Sequence, residues 1–298
     1  MTARTGLGLP ALSVAGAAIL WGLWWLPLRW LDGRGLPGEW ASLAVYSLAT
    51  ALLVPFAWRH RRRIWAGGPL LLASGVLFGA VLVLWNQAVL LGEVVRVVLL
   101  FYLAPVWATL LTVLFLRDRV TPWRALSVVL GLAGAATVLG FEGGIPWPRD
   151  EGDWMGLFAG MLFALSAMFA HKGESIDDFD KTFVAFAAAA LLALVMVVGD
   201  PPVRPTGDQM IGAVPLAAAV AGLWILPATW LVFWGASRLD PGRVSILLML
   251  EVVAASASAS VLTDEPFGWR EVAGCVLILC AGLVEAAPAL RRAEAPSG

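Results

Sequence analysis

Glu251 is the residue whose type and setting most plainly ask for a chemical account. It is the one acid in LMLEVVAASASASVL (248–262), and Ser256, Ser258 and Ser260 follow it. In a helix that crosses a bilayer, a central charge costs about 2.5–3.5 kcal/mol on insertion scales. Such a carboxyl has three uses. It can receive a substrate ammonium, exchange a proton during a working cycle, or stay protonated and hydrogen-bond a neighbouring helix. No Lys or Arg stands at comparable depth in any apolar run, so an internal ion-pair partner is not evident. Helical spacing then sorts the polar positions. Ser245, Met249, Val252, Ser256 and Ser260 share one stripe, whereas Glu251 and Ser258 share another, with Ala255 between them. For the serines two readings stand side by side: close helix packing by small residues, or the lining of a cavity, for which Ser245 and Ser256 are the candidates.

Aromatic residues are the second chemical resource, with 16 Trp in the chain. Trp40, Trp58, Trp65, Trp123, Trp147, Trp154 and Trp269 flank apolar runs, where indoles anchor a span at the membrane interface. Trp21, Phe78, Trp85, Tyr102, Phe163 and Trp224 fall inside the runs. Either they pack against lipid and core, or they form an apolar, polarizable cavity suited to flat or bulky side chains. Tyr102 is the most informative of them, because a buried hydroxyl needs a partner. Asn86 and Gln87, near the outer end of their run, fit an exit path and a helix cap equally. Pro105 and Pro227 each leave a carbonyl without its helical donor, so mild kinks are expected there.

The elements that must position these groups are membrane helices. Hydrophobic residues make up 60% of the 298 residues and charged ones 14%. The apolar runs repeatedly reach the ~20 residues that cross a bilayer, and they do not alternate as barrel strands would. Ten spans are expected, at about 11–28, 40–58, 69–90, 96–116, 124–141, 154–171, 182–198, 212–234, 243–262 and 270–287. The first is read as a retained span. Basic residues orient them. Arg4, the RHRRR run at 59–63, Arg117, Arg119, Arg124, Lys172, Lys181, Arg238, Arg243, Arg291 and Arg292 lie on the side of the N-terminus and hold 14 of the 20 Lys and Arg. Both termini are therefore expected in the cytoplasm. RHRRR reads as a topology anchor, with no nucleic-acid role.

Catalytic motifs are missing: HExxH, Walker A and GxSxG do not occur. GLGLPA (6–11) imitates a dinucleotide fingerprint but follows no strand and opens a span. With only His60 and His171, no metal or acid–base cluster assembles within the membrane, and no cofactor is implied. Cys275 and Cys280 lie ~140° apart on one helix and imply packed thiols with no disulfide framework.

The polar break EGGIPWPRDEGD (142–153) near the middle prompts a search for a repeat. A shift of 147 pairs Glu93 with Asp240, Arg96 with Arg243, Pro105 with Val252, and Asp118 with Glu265; a shift of 144 pairs LPALSVAGAAILWG (9–22) with DWMGLFAGMLFALS (153–166). Residues 1–145 form the first five-span repeat and 146–298 the second. Five is an odd number, so the second must enter from the opposite side. In transporters such inverted repeats place a binding site near the midplane and support alternating access.

Each half ends in two spans joined by a short charged turn, FYLAPVWATLLTVLFLRDRVTPWRALSVVLGLAGAATVL and LMLEVVAASASASVLTDEPFGWREVAGCVLILCAGLVEA. This resembles the paired EamA repeat of the drug/metabolite transporter superfamily, whose members are typically ten-span carriers. Pro105 and Glu265 match the family pattern; Asp118 stands where Glu is usual, and Val252 replaces the proline common after the glutamate. Within the superfamily the chain is most similar to bacterial inner-membrane exporters of amino acids, the aromatic ones in particular. The resemblance implies an all-α carrier, with no enzymatic activity, whose central cavity lies among the first, third, fourth, sixth, eighth and ninth spans. Trp21, Phe78, Tyr102, Phe163, Trp224, Ser245, Met249, Glu251 and Ser256 are its candidate lining. The expected partners are membrane lipids and a small zwitterionic substrate, an amino acid or related metabolite; the sequence carries no signal for oligomeric state. A carrier of cationic drugs that uses Glu251 as counter-charge is the alternative. Anionic sugar phosphates would call for Lys or Arg mid-span, a scaffold has no need of an inverted repeat, and an intramembrane enzyme would need clustered catalytic groups.

Overall fold

The computed structural model describes residues 8–111, 114, 121–140, 147–172, 176–199, 204–239, 241–265 and 267–294. Regular structure among them is helical throughout, as it must be where no water is present to satisfy the backbone. Eight stretches are long and apolar enough to cross a membrane, namely Leu9–Asp32, Gly38–Ala66, Gly68–Leu91, Val94–Leu111, Pro122–Leu139, Glu151–Ala170, Asp178–Val198 and Gly207–Ala236. The ninth expected run is a shorter apolar helix, Ile246–Leu262. The tenth is a 26-residue helix, Trp269–Glu294. Polar side chains set several of the starts. Thr121 and Asp177 accept backbone amides ahead of Pro122 and Asp178, and Thr206 forms a capping box with Gln209.

Four of the stretches are broken. The first divides into α1 (Leu9–Gly22) and α2 (Trp25–Asp32); α3 (Gly38–Ala66) and α4 (Gly68–Leu91) then run unbroken. Next come α5 (Val94–Phe101), α6 (Ala104–Leu111), α7 (Pro122–Leu139), α8 (Glu151–Lys172) and α9 (Asp178–Val198). The eighth stretch holds α10 (Gly207–Ala219), a π turn (Val220–Ile225) and α11 (Leu226–Ala236), so the chain widens into a π turn just before Pro227. Finally α12 (Pro241–Leu248) and α13 (Leu250–Leu262) precede α14 (Trp269–Glu294). Pro105 accounts for the α5–α6 break, because it offers no N–H to the Phe101 carbonyl. The α12–α13 break at Met249 lies 147 residues after Tyr102, the same shift that aligns Arg96 with Arg243. It forms without a proline, since Val252 occupies that position.

Packing repeats between the halves as well. α4 packs on α8 and α9, as α11 packs on α1 and α10 on α3. α1 packs on α12 and α13, as α8 packs on α5 and α6, while α3–α9, α5–α13 and α7–α14 join the halves directly. Glycines permit the closest of these approaches. A Cβ on Gly79 would lie 2.8 Å from the Ala185 carbonyl, and one on Gly160 would lie 2.5 Å from the Phe101 carbonyl. The GVLFG (75–79) and GLFAG (156–160) patterns are thus helix contacts. Trp24, Tyr46, Leu28 and Phe186 are buried, whereas large apolar side chains such as Leu223 and Val261 face outward, each 79% exposed. An apolar exterior of this kind is matched to lipid.

Candidate functional site at the helix breaks

The broken helices meet at Glu251. A Cβ on Gly22, the last residue of α1, would lie 2.5 Å from the Glu251 carbonyl oxygen and 2.8 Å from the Ala254 Cβ, so only glycine lets α1 reach α13 here. From the other side comes Tyr102, at the α5–α6 break. Its hydroxyl lies 2.9 Å from Glu251 Oε2 and 3.2 Å from the Leu248 carbonyl oxygen. That carbonyl has lost its helical donor, because the Val252 amide turns to the Met249 carbonyl instead, at 3.1 Å. The α1–α2 break follows the same pattern. The Trp24 amide turns to the Trp21 carbonyl at 3.0 Å, and the Leu20 carbonyl it leaves receives Trp224 Nε1 at 2.9 Å. These two breaks are each closed by an aromatic donor from another part of the bundle. A buried carbonyl left without a donor would cost about 1–3 kcal/mol.

Aromatic rings extend away from this point. Tyr102 lies 5.8 Å from Phe101, Phe101 lies 5.5 Å from Phe163 and 5.6 Å from Trp85, and Phe163 lies 6.1 Å from Phe78. Phe78, Phe163, Tyr102 and Glu251 therefore form one connected row drawn from α4, α8, the α5–α6 break and α13. Trp21 and Trp224 sit at the α1 break, Trp21 tilted against Trp24 at 6.2 Å and Trp224 on the Leu20 carbonyl. Met249 is the break residue of its own stretch, and its methyl group fills the space left beside Gly282 of α14. Ser256 is placed apart from the row. It is buried, and its Oγ lies 3.4 Å from Cys275 Sγ of α14, as in a packing contact. Ser245 belongs to α12, but its side chain lies outside the described residues. Ser258, on the Glu251 stripe, accepts Trp25 Nε1 at 3.1 Å.

The pattern of the EamA-like transporter family matches this chain twice, over residues 8–140 and again over 150–284. The chain belongs to the EamA-like transporter family. It is accordingly a multi-pass membrane protein built on two EamA repeats, with the fold of a transporter. No curated protein matches the transporter's sequence. Among proteins of known structure 21 chains match. One crystal structure is 21% identical, with a TM-score of 0.57 over 96% of the transporter and 99% of that chain. That likeness is one of fold.

Several polar contacts that hold the transporter's site in place are not read from single residues. Asn86 is fully buried. Its Oδ1 accepts Trp24 Nε1 at 2.9 Å and the Tyr46 hydroxyl at 3.3 Å, while Nδ2 donates to Ser42 Oγ at 3.0 Å. It clamps the α1–α2 break, α3 and α4 together. Arg96 is also buried. It forms a close ion pair with Asp153 of α8 and donates to the Val138 carbonyl at 3.3 Å. At the same end of the bundle Arg29 Nη2 meets Glu265 Oε1 at 2.7 Å, beside a cavity of about 420 Å³ that Glu93, Asp150 and Asp264 also line. Burial there pushes the Glu93 carboxyl above the usual range, against the opposing pull of Arg96. Phe101 and Trp85 complete the aromatic row. Phe101 could have been singled out, since it is the residue whose carbonyl Pro105 deprives of a donor.

Proposed function

We propose that this transporter exports amino acids, including aromatic and large apolar ones, across the bacterial inner membrane. The observation that carries this reading is the Glu251 carboxylate, held by Tyr102 at the meeting of broken helices and next to the Phe101–Phe163–Phe78 row. A carboxylate suits a substrate ammonium, and the rings suit a flat or bulky side chain. Discontinuous helices also offer free amides at their starts to a substrate carboxylate, as other carriers do at the midplane. We infer ten spans in two inverted five-span repeats, with both termini in the cytoplasm. The matched breaks at Tyr102 and Met249, the paired packing of the two halves and the distribution of Lys and Arg support that arrangement. Substrate release then proceeds by alternating access around the site.

The test is uptake of a panel of labelled amino acids by liposomes that contain only the purified protein, with and without a pH gradient. Saturable flux of phenylalanine, tryptophan or leucine is the expected result. If no amino acid moves, the reading fails. A second reading, export of cationic drugs with Glu251 as counter-charge, is favoured by a carboxylate whose described partner is a neutral hydroxyl. Flux of an aromatic cation in the same vesicles, without amino acid flux, would select it.

A further inference from the structure

We propose that Tyr102 is a positioning residue that couples the charge on Glu251 to the bend between α12 and α13. This rests on the reading that Glu251 receives a cation. A tyrosine hydroxyl has one proton to donate, and here two acceptors stand within reach of it. One is Glu251 Oε2 at 2.9 Å; the other is the Leu248 carbonyl at 3.2 Å, which the break at Met249 has left without its helical amide. While Glu251 is ionised and empty, the carboxylate is the stronger acceptor and draws the proton. The Leu248 carbonyl is then short of a donor. When a cation occupies the carboxylate, the proton passes wholly to Leu248, which caps the break. Filling the site thus changes the hydrogen bonding of the hinge beside it.

The surroundings leave this exchange to Tyr102. Toward the start of α13, α1 presents Gly22. α14 presents Cys275, whose thiol meets Ser256, and the α5–α6 break presents Tyr102 itself. At the α12–α13 break, Met249 packs against Gly282 of α14. The opposite break has no such branch. Trp224 Nε1 has one hydrogen and one described acceptor, the Leu20 carbonyl, so that cap is fixed. One hinge is constant and the other responds to charge.

Spin labels on cysteines at Leu110 of α6 and Leu247 of α12, in a Cys275→Ala/Cys280→Ala background, would report the distance between the half-helix after the Tyr102 break and the half-helix before the Met249 break. Saturating phenylalanine is expected to shift that distance. Glu251→Gln should give the shifted distance without substrate, because a neutral amide oxygen accepts more weakly than a carboxylate. Tyr102→Phe should show neither shift. It should transport saturating phenylalanine about tenfold more slowly than the parent, within the usual range of coupling between sites. A Tyr102→Phe protein that still shifts, or that transports at the parent's rate, overturns the proposal. The Glu251→Gln measurement needs neither substrate nor the Tyr102 variant, so an unshifted distance there overturns it alone. Failure of the parent to bind any amino acid would sink only the substrate reading.

Discussion

At the scale of single residues, the transporter's polar groups fall into two kinds. Asn86, Ser256 and Trp224 have their capacity taken up by fixed partners within the bundle, and each reads as construction. Glu251 differs, because its described partner is a hydroxyl that is also shared with a carbonyl. A carboxylate held by one shared proton remains open to a cation. Glu251→Gln removes the charge and keeps the shape. A charged hydrogen bond contributes about 1.5–3 kcal/mol, so flux at subsaturating substrate should fall roughly tenfold or more. The variant should stay monodisperse in detergent, since the amide keeps the shape of the carboxyl and Tyr102 still has the Leu248 carbonyl to donate to. Flux and pH dependence both unchanged in vesicles would make the carboxyl structural.

At the scale of elements, breaks and glycines do complementary work. The breaks interrupt the helical hydrogen bonding at Tyr102 and Met249, and glycines on the facing helices allow those segments to be approached closely. Gly160 decides the α8–α5 contact, since any side chain there would meet the Phe101 carbonyl at 2.5 Å. Gly160→Val should therefore cost about 1–3 kcal/mol through overpacking and lower the thermal midpoint in detergent. Gly212 of α10 provides the contrast, with nothing within 4 Å of its would-be Cβ. Gly212→Ala should gain up to about 1 kcal/mol from helix propensity. Equal midpoints for the two variants would mean that α8 can move aside without loss.

At the scale of the whole molecule, the two halves are joined by apolar contacts and by a few buried charges. Arg96 in the first half and Asp153 in the second are both withdrawn from solvent. Removing one partner strands the other, at a cost of about 3–5 kcal/mol, whereas replacing both with apolar residues is often neutral. Asp153→Asn should accordingly fail to yield a monodisperse protein or unfold at a much lower temperature. The double variant Arg96→Met/Asp153→Leu should recover. Recovery in the single variant, or its absence in the double one, would show that Arg96 has another role.

What the sequence determined by itself is the class of molecule and its elements. Apolar length, the positions of Lys and Arg, and the 147-residue shift depend on local composition and on order along the chain. They located the helices, although Gly38–Ala66 and Trp269–Glu294 run well past the expected ends at 58 and 287, singled out Glu251, Tyr102 and the inner aromatics as candidates, and marked the glycine contacts. What only the tertiary structure decided is which groups meet. Ser256 lies on an eligible stripe of its helix, yet the face it shares belongs to Cys275; Arg96 stands at the start of an expected span, and only the fold brings Asp153, 57 residues away, to it. The break at Met249 has no proline to announce it, and the carbonyl it frees finds its donor 146 residues earlier in the chain. Contacts of that kind depend on how helices from the two halves pack, and no local pattern encodes them.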